Sequence, residues 1–169
     1  KHVISAILKG YDVVFVEQRK QLGTGHAVSV CSPLLNGYSG KVVVLYGDVP
    51  LIPSELIQKL SEGGNKMVTL KTKDPEGLGR IVIENGFVKQ IVEDRDCSKE
   101  QKKINLVNTG IYGFNSTDLF TSLPLLKNNN AQGEYYLTDV VELLRKKQVL
   151  TGEIRLPDHN SYMVQGVNT

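Results

Sequence analysis

Nothing in this sequence is apolar for long enough to span a membrane, and neither sign of charge prevails, the formal net charge being +2. A membrane-embedded protein and a nucleic-acid surface both need what is missing here, so neither is expected. The one basic cluster, Arg145, Lys146 and Lys147, falls where a helix would end and reads as a solvated helix terminus. Cysteine is scarce. Cys31 and Cys97 stand far apart without a Cys-x-x-Cys pair, which argues against zinc and a disulfide scaffold and suits a reducing, cytoplasmic setting. Repeats, low-complexity tracts and linkers are lacking too, so residues 1–169 are read as one domain. Neither a starting methionine nor a signal peptide precedes the first residues, and the chain is expected to begin in mid-domain.

What is present suits a soluble globular domain: hydrophobic residues make up 40% and charged residues 22%, which excludes disorder. Val42–Leu45 is a short aliphatic run that breaks into Tyr46, Gly47, Asp48, Val49 and Pro50, the pattern of a buried strand and its end. A second such run, Val13–Val16, follows an amphipathic helix closed by Gly10. Gly23 and Gly25 open a helix expected to reach about Leu35, and Pro53 starts another through Leu60. Lys66–Thr72 adds a further strand. Strands alternating with helices predict an α/β fold with a mixed, mostly parallel sheet and helices on both faces. Asn85-Gly86 between Ile81–Ile83 and Phe87–Val92 predicts an antiparallel hairpin inserted into that pattern. Strands are also expected over Leu106–Phe114, Ile154–Leu156 and Tyr162–Val164, with helices from Ser116 and from Asp139 to Lys147.

Asp48 would lie at a strand's carboxyl end, the edge where open α/β sheets bind ligands. It has two readings: a carboxylate that holds a metal carrying a phosphorylated substrate, or a turn and cap residue. The glycine-flanked helix start at Gly23-Thr24-Gly25 suits an anion or a close-packed base, although a tight turn needs glycine anyway. Tyr135 and Tyr136 beside Glu134 would make a wall for a polar, sugar-sized ligand. Gly110, inside a strand, suggests a close approach by a ligand or another backbone.

Seven separated motifs carry a resemblance: Gln21-Leu-Gly-Thr-Gly-His-Ala27, Leu45-Tyr-Gly-Asp-Val-Pro-Leu51, Gly77-Leu-Gly-Arg-Ile81, Ile91-Val-Glu93, Val107-Asn-Thr-Gly-Ile111, Asn129-Asn-Ala-Gln-Gly-Glu-Tyr-Tyr-Leu-Thr-Asp139 and Gly166-Val-Asn168. In order and spacing they resemble the pyrophosphorylase domain of the bacterial N-acetylglucosamine-1-phosphate uridyltransferase family. The resemblance implies a Rossmann-like nucleotidyltransferase fold. It further implies transfer from UTP to N-acetylglucosamine 1-phosphate, giving UDP-N-acetylglucosamine for cell-wall (peptidoglycan) synthesis and releasing pyrophosphate. Carried over by motif, Gln18 and Gly23 would contact uracil, with Gln21 and Thr24 in the same loop. Asp48 and Asn168 would hold Mg2+. Tyr46, Gly79, Glu93, Asn108 and Tyr136 would line the sugar side, and Glu134 would shape the adjoining loop.

The chemistry is self-consistent. The attacking phosphate oxygen is already ionised at neutral pH, so positioning and charge neutralisation suffice and no catalytic histidine or cysteine is required. Magnesium also accepts a site of one or two protein oxygens completed by phosphates and water. The family's glycine-rich phosphate loop, with its arginine and lysine, has no counterpart in these residues, and neither does the acetyltransferase domain of its bifunctional members. The domain is therefore expected to be N-terminally incomplete, weak or inactive alone, and dependent on another polypeptide, a further segment or self-association for solubility. A homo-oligomer is expected for a full-length parent. Alternative readings are a transferase for another sugar phosphate and a non-catalytic binding or regulatory module.

Overall fold

The structure is a computed structural model that describes residues 2–167. Helix α1 spans His2–Ile7 and α2 spans Thr24–Ser29; strand β1 (Lys41–Val44) leads to α3 (Ser54–Ser61) and β2 (Asn65–Lys71). The hairpin β3 (Arg80–Glu84) and β4 (Phe87–Val92) follows, then β5 (Leu106–Asn115), α4 (Ser116–Ser122), α5 (Asp139–Lys146) and β6 (Thr151–Leu156). The fold class is α/β, with a mixed six-stranded sheet in the order β1-β5-β2-β6-β4-β3.

Parallel neighbours are fewer than expected. β5 returns antiparallel between β1 and β2, which leaves β2–β6 as the parallel ladder among the described residues. The hairpin forms where Asn85-Gly86 calls for it: both residues take positive φ, 53° and 80°, as a tight twisted turn demands. In β5 the alternation sorts the core. Val107 and Ile111 pack on one side with Leu56 and Leu60 of α3, whereas Tyr112 and Phe114 pack on the other with Leu119, Val140 and Leu144 of α4 and α5.

Three expectations are corrected. Among the described residues, 12–16 join no ladder and β1 pairs with β5 alone, so the segment has no backbone partner to make it a strand. Tyr162–Val164 falls within a 3-10 segment, Asp158–Val164, since β6 already has β2 and β4 on its two sides. The helix expected to reach Leu35 breaks into α2 and a 3-10 turn, Ser32–Leu35, where Pro33 lacks the N–H that would continue the ladder.

Because β1, β2 and β6 run the same way, their carboxyl ends gather at one edge of the sheet. The start of β3 and the end of β4 meet them there.

Candidate active site

A cleft of about 640 Å³ opens at that edge. Tyr46 and Asp48 reach it from the turn after β1, Gly79 from the loop before β3, Glu93 from the end of β4 and Asn108 from the first turns of β5. Five expected site residues from four separate motifs thus line one cavity. Thr72, Asp74, Thr109, Ser161 and Gln165 line it as well. Of these, only Thr109 lies in one of the quoted motifs, and none was named as a site residue from the sequence.

The walls are built tightly. Gly79 sits between the two polar heads: a Cβ there would lie 3.4 Å from Glu93 Oε2, 3.5 Å from Asn108 Cβ and 3.1 Å from Ile91. Its carbonyl accepts the Asn108 N–H at 2.8 Å. Arg80, 2% exposed, donates to the Leu78 carbonyl and to Asp94 Oδ1, tying the glycine loop to the turn after Glu93. Gly110 has φ +76°, and a Cβ there would meet the Tyr46 ring at 1.9 Å. A ligand or another backbone was expected to approach this glycine; the Tyr46 side chain takes that place instead.

The cleft is acidic. Burial pushes the Glu93 carboxyl above its ordinary value, the hydroxyl of buried Thr138 opposes this by donating to Oε1 at 3.0 Å, and Asp96 and Asp94 add to the rise. Burial also raises the Tyr46 phenol, with Glu93 and Asp48 contributing, so the ring enters the site as a neutral donor. No protein donor reaches the Asp48 carboxylate among the described residues, and Oδ2 would lie 3.0 Å from a Cβ on Gly166. The Val167 N–H donates to the Asp48 carbonyl at 2.8 Å, fastening residues 166 and 167 beside it. Asn168, the other expected metal ligand, lies outside the described residues. An uncommitted hard oxygen facing a cleft fits magnesium, which binds through few protein ligands. No group of three His, Cys, Asp or Glu side chains that could hold a metal occurs among the described residues.

The remaining expected residues form a second cluster. Gly23, at φ +103°, leaves no room for a side chain because a Cβ would lie 2.6 Å from the Tyr135 carbonyl. Backbone bonds Tyr135 N to Leu22 O and Gly25 N to Tyr135 O, both 2.8 Å, lace the two loops together, and Thr24 Oγ1 accepts the Leu137 N–H at 3.0 Å. The glycines and threonine thus have structural work whatever they bind. Gln18 Nε2 donates to the Gly23 carbonyl at 3.1 Å and lies 2.9 Å from His26 Nδ1, while Gln21 is exposed. Thr24 and Tyr46 line a common cavity of about 330 Å³, so Tyr46 is the wall between this cluster and the cleft.

Tyr136 and Glu134 are not brought into the cleft. Tyr136 lines a neighbouring recess with Glu93, its hydroxyl accepting from Gln132 Nε2 at 2.8 Å. Glu134 is clamped through its backbone by Asn130, which donates to its carbonyl at 2.6 Å and accepts its N–H at 3.1 Å.

A family model described as nucleotidyl transferase matches residues 3–159. The chain belongs to the nucleotidyl transferase family. Among curated relatives it is 45% identical to the bifunctional protein GlmU of Saccharophagus degradans, over 98% of this chain and 37% of that protein. It is 44% identical to GlmU of Acinetobacter baylyi, over 93% of this chain and 35% of the relative. The chain thus spans a little over a third of the curated relatives' length. Two solved structures share the fold at low identity. A nucleoside-diphosphate-sugar pyrophosphorylase from Vibrio cholerae matches with TM-score 0.64 at 17% identity, over 85% of this chain and 61% of that one. A putative glucose-1-phosphate thymidylyltransferase from Bacillus anthracis matches with TM-score 0.62 at 22% identity, over 92% of this chain and 63% of the other. Among the described residues no helix is long and apolar enough to cross a membrane.

Proposed function

We propose that this chain forms the sugar and base sites of a uridylyl transferase that joins UTP and N-acetylglucosamine 1-phosphate. The observation that carries the reading is the meeting of Tyr46, Asp48, Gly79, Glu93 and Asn108 in one cleft at the strand ends. The 44 to 45% identity to bifunctional GlmU proteins supports an activity shared with them.

In this reaction a sugar phosphate oxygen attacks the α-phosphorus of UTP. One P–O bond forms, the α–β P–O bond breaks, and pyrophosphate leaves with the electron pair, with no proton to be moved. The protein's task is to align the two ligands and to offset charge. Asp48, with Asn168, would hold Mg2+, which supplies neutralisation of phosphate charge. Glu93 and Asn108 orient the sugar, and Tyr46 separates sugar from nucleotide. The Gln18 amide supports a uracil ligand: its Nε2 is turned to the Gly23 carbonyl, so Oε1 is left as an acceptor for an imide N–H. Cytosine has no such donor at the equivalent ring nitrogen.

The test is pyrophosphate release from a protein carrying this domain, assayed with a panel of nucleoside triphosphates and sugar 1-phosphates. UTP with N-acetylglucosamine 1-phosphate should give the highest kcat/KM. Preference for a thymidine nucleotide or for glucose 1-phosphate would overturn the substrate assignment. Calorimetry of UDP-N-acetylglucosamine with magnesium on the 169-residue chain separates retained binding from turnover.

A further inference from the structure

We propose that Tyr112 is a positioning residue that, together with the Gly110 N–H, holds the Asn108 amide with its NH2 toward the cleft, so that the protein presents a donor there. The inference rests on the reading of the cleft as a sugar site. Asn108 Oδ1 accepts two hydrogen bonds at 2.9 Å, from the Gly110 N–H and from the Tyr112 hydroxyl. A backbone N–H can only donate, so the atom turned to it has to be oxygen, and turning the amide over would oppose N–H to N–H. Nδ2 is left with no partner among the described residues, and Asn108 lines the cleft.

Tyr112 is suited to hold this arrangement. Asn108 and Tyr112 pair with Thr69 and Met67 of β2 on either side of an irregularity in the ladder, and the phenol reaches the amide across it. The ring is fully buried and stacked on Phe114, with centroids 5.3 Å apart and planes 15° apart. Burial drives its ionisation well above the ordinary phenol range, keeping the O–H proton in place as a donor. Gly110, the second donor, is pinned by the Tyr46 ring over its α-carbon. Beside Asn108, across Gly79, Glu93 has Oε1 occupied by Thr138 and offers Oε2. The cleft therefore pairs an amide donor with a carboxylate acceptor. It is matched to a ligand carrying an acceptor oxygen and a hydroxyl or amide donor on neighbouring positions, as a pyranose or an acylamino sugar does.

Tyr112→Phe keeps the ring and its stacking and removes only the hydroxyl. In a full-length protein carrying this domain, it should raise KM for the sugar 1-phosphate roughly 3- to 10-fold, the effect of loosening one hydrogen bond, and leave KM for the nucleoside triphosphate and kcat within about twofold. In the 169-residue chain without ligand, the Asn108 side-chain NH2 resonances, assigned by their loss in Asn108→Asp, should shift in Tyr112→Phe. Equal changes in both KM values, or an unchanged sugar KM in a variant of unaltered melting temperature, would overturn the proposal. So would Asn108 resonances indifferent to the substitution. Should the unsubstituted protein use no sugar phosphate, the functional reading falls, and the resonances still decide whether Tyr112 holds the amide.

Discussion

Asp139 opens α5, where the helix dipole favours negative charge, yet its carboxyl is pushed up to about 6. Burial is the main cause, and Glu142, Glu93 and Asp96 add repulsion. The folded state then holds the proton more tightly than the unfolded chain, whose aspartate titrates near 3.8. The stability tied to this group is complete below the unfolded value and is lost as pH rises through the folded one. Solvent still reaches the carboxylate, so the loss is put at only about 1 kcal/mol. Asp139→Asn should unfold at higher urea than the parent at about pH 7.5 and match it at about pH 4, a gap that urea titrations at the two pH values measure directly. Asp48 gives a different expectation. In a protein with turnover, Asp48→Ala should lower kcat/KM about 100-fold or more, and Asp48→Asn should raise the magnesium concentration needed; near-normal turnover at limiting magnesium would remove Asp48 as a ligand. Asp48 was a candidate from its place at a strand end, whereas Glu93 and Asn108 became candidates only through the motifs of the resemblance. Tyr112 and Thr138 were not candidates: a tyrosine in an aliphatic strand and a threonine before a helix look like core and cap, and only the fold brings their hydroxyls to Asn108 and Glu93.

Between elements, β5 and α3 approach closely at Gly113. A Cβ on Gly113 would lie 2.2 Å from the Leu60 carbonyl oxygen, which is backbone and cannot swing aside. Gly113→Ala should therefore push α3 off the sheet and cost about 3 kcal/mol, read as a drop in the urea midpoint with little change in m. Gly152→Ala is the control, since its nearest neighbour would be 3.8 Å away. The elements that could be read from sequence were those with local instructions. Asn85-Gly86 dictates its turn, and Leu56 and Leu60, four apart, dictate the buried face of α3. Residues 12–16 and 162–164 carry strand-like side chains but no instruction about a partner. A strand exists only where another backbone offers its free N–H and C=O groups, and neither segment is offered one.

At the scale of the molecule, the described apolar surface is uneven. Most of the sheet is covered on both faces, but β1 has one free edge, and Val13, Val14, Phe15 and Val16 lie exposed, Val14 by 73%. Between α2 and β1 lies the cavity of about 330 Å³, lined largely by Ala27, Val28, Leu35, Val42, Val44 and Leu45. An open strand edge is a template for pairing with another chain, and uncovered β-branched residues favour burial against one. Covering Val14 and Phe15 alone would contribute about 3 kcal/mol, and each copy offers both an edge and an apolar segment to the next. The 169-residue chain is therefore expected to self-associate, its sedimentation coefficient rising with concentration in the micromolar range. Val14→Lys, which puts a charge on the most exposed member of that segment, should shift the distribution toward monomer without altering the helical signal in circular dichroism. A monodisperse monomer for the unsubstituted chain would show that this edge is protected by the chain's own residues, and that the exposed segment folds back over β1 in solution.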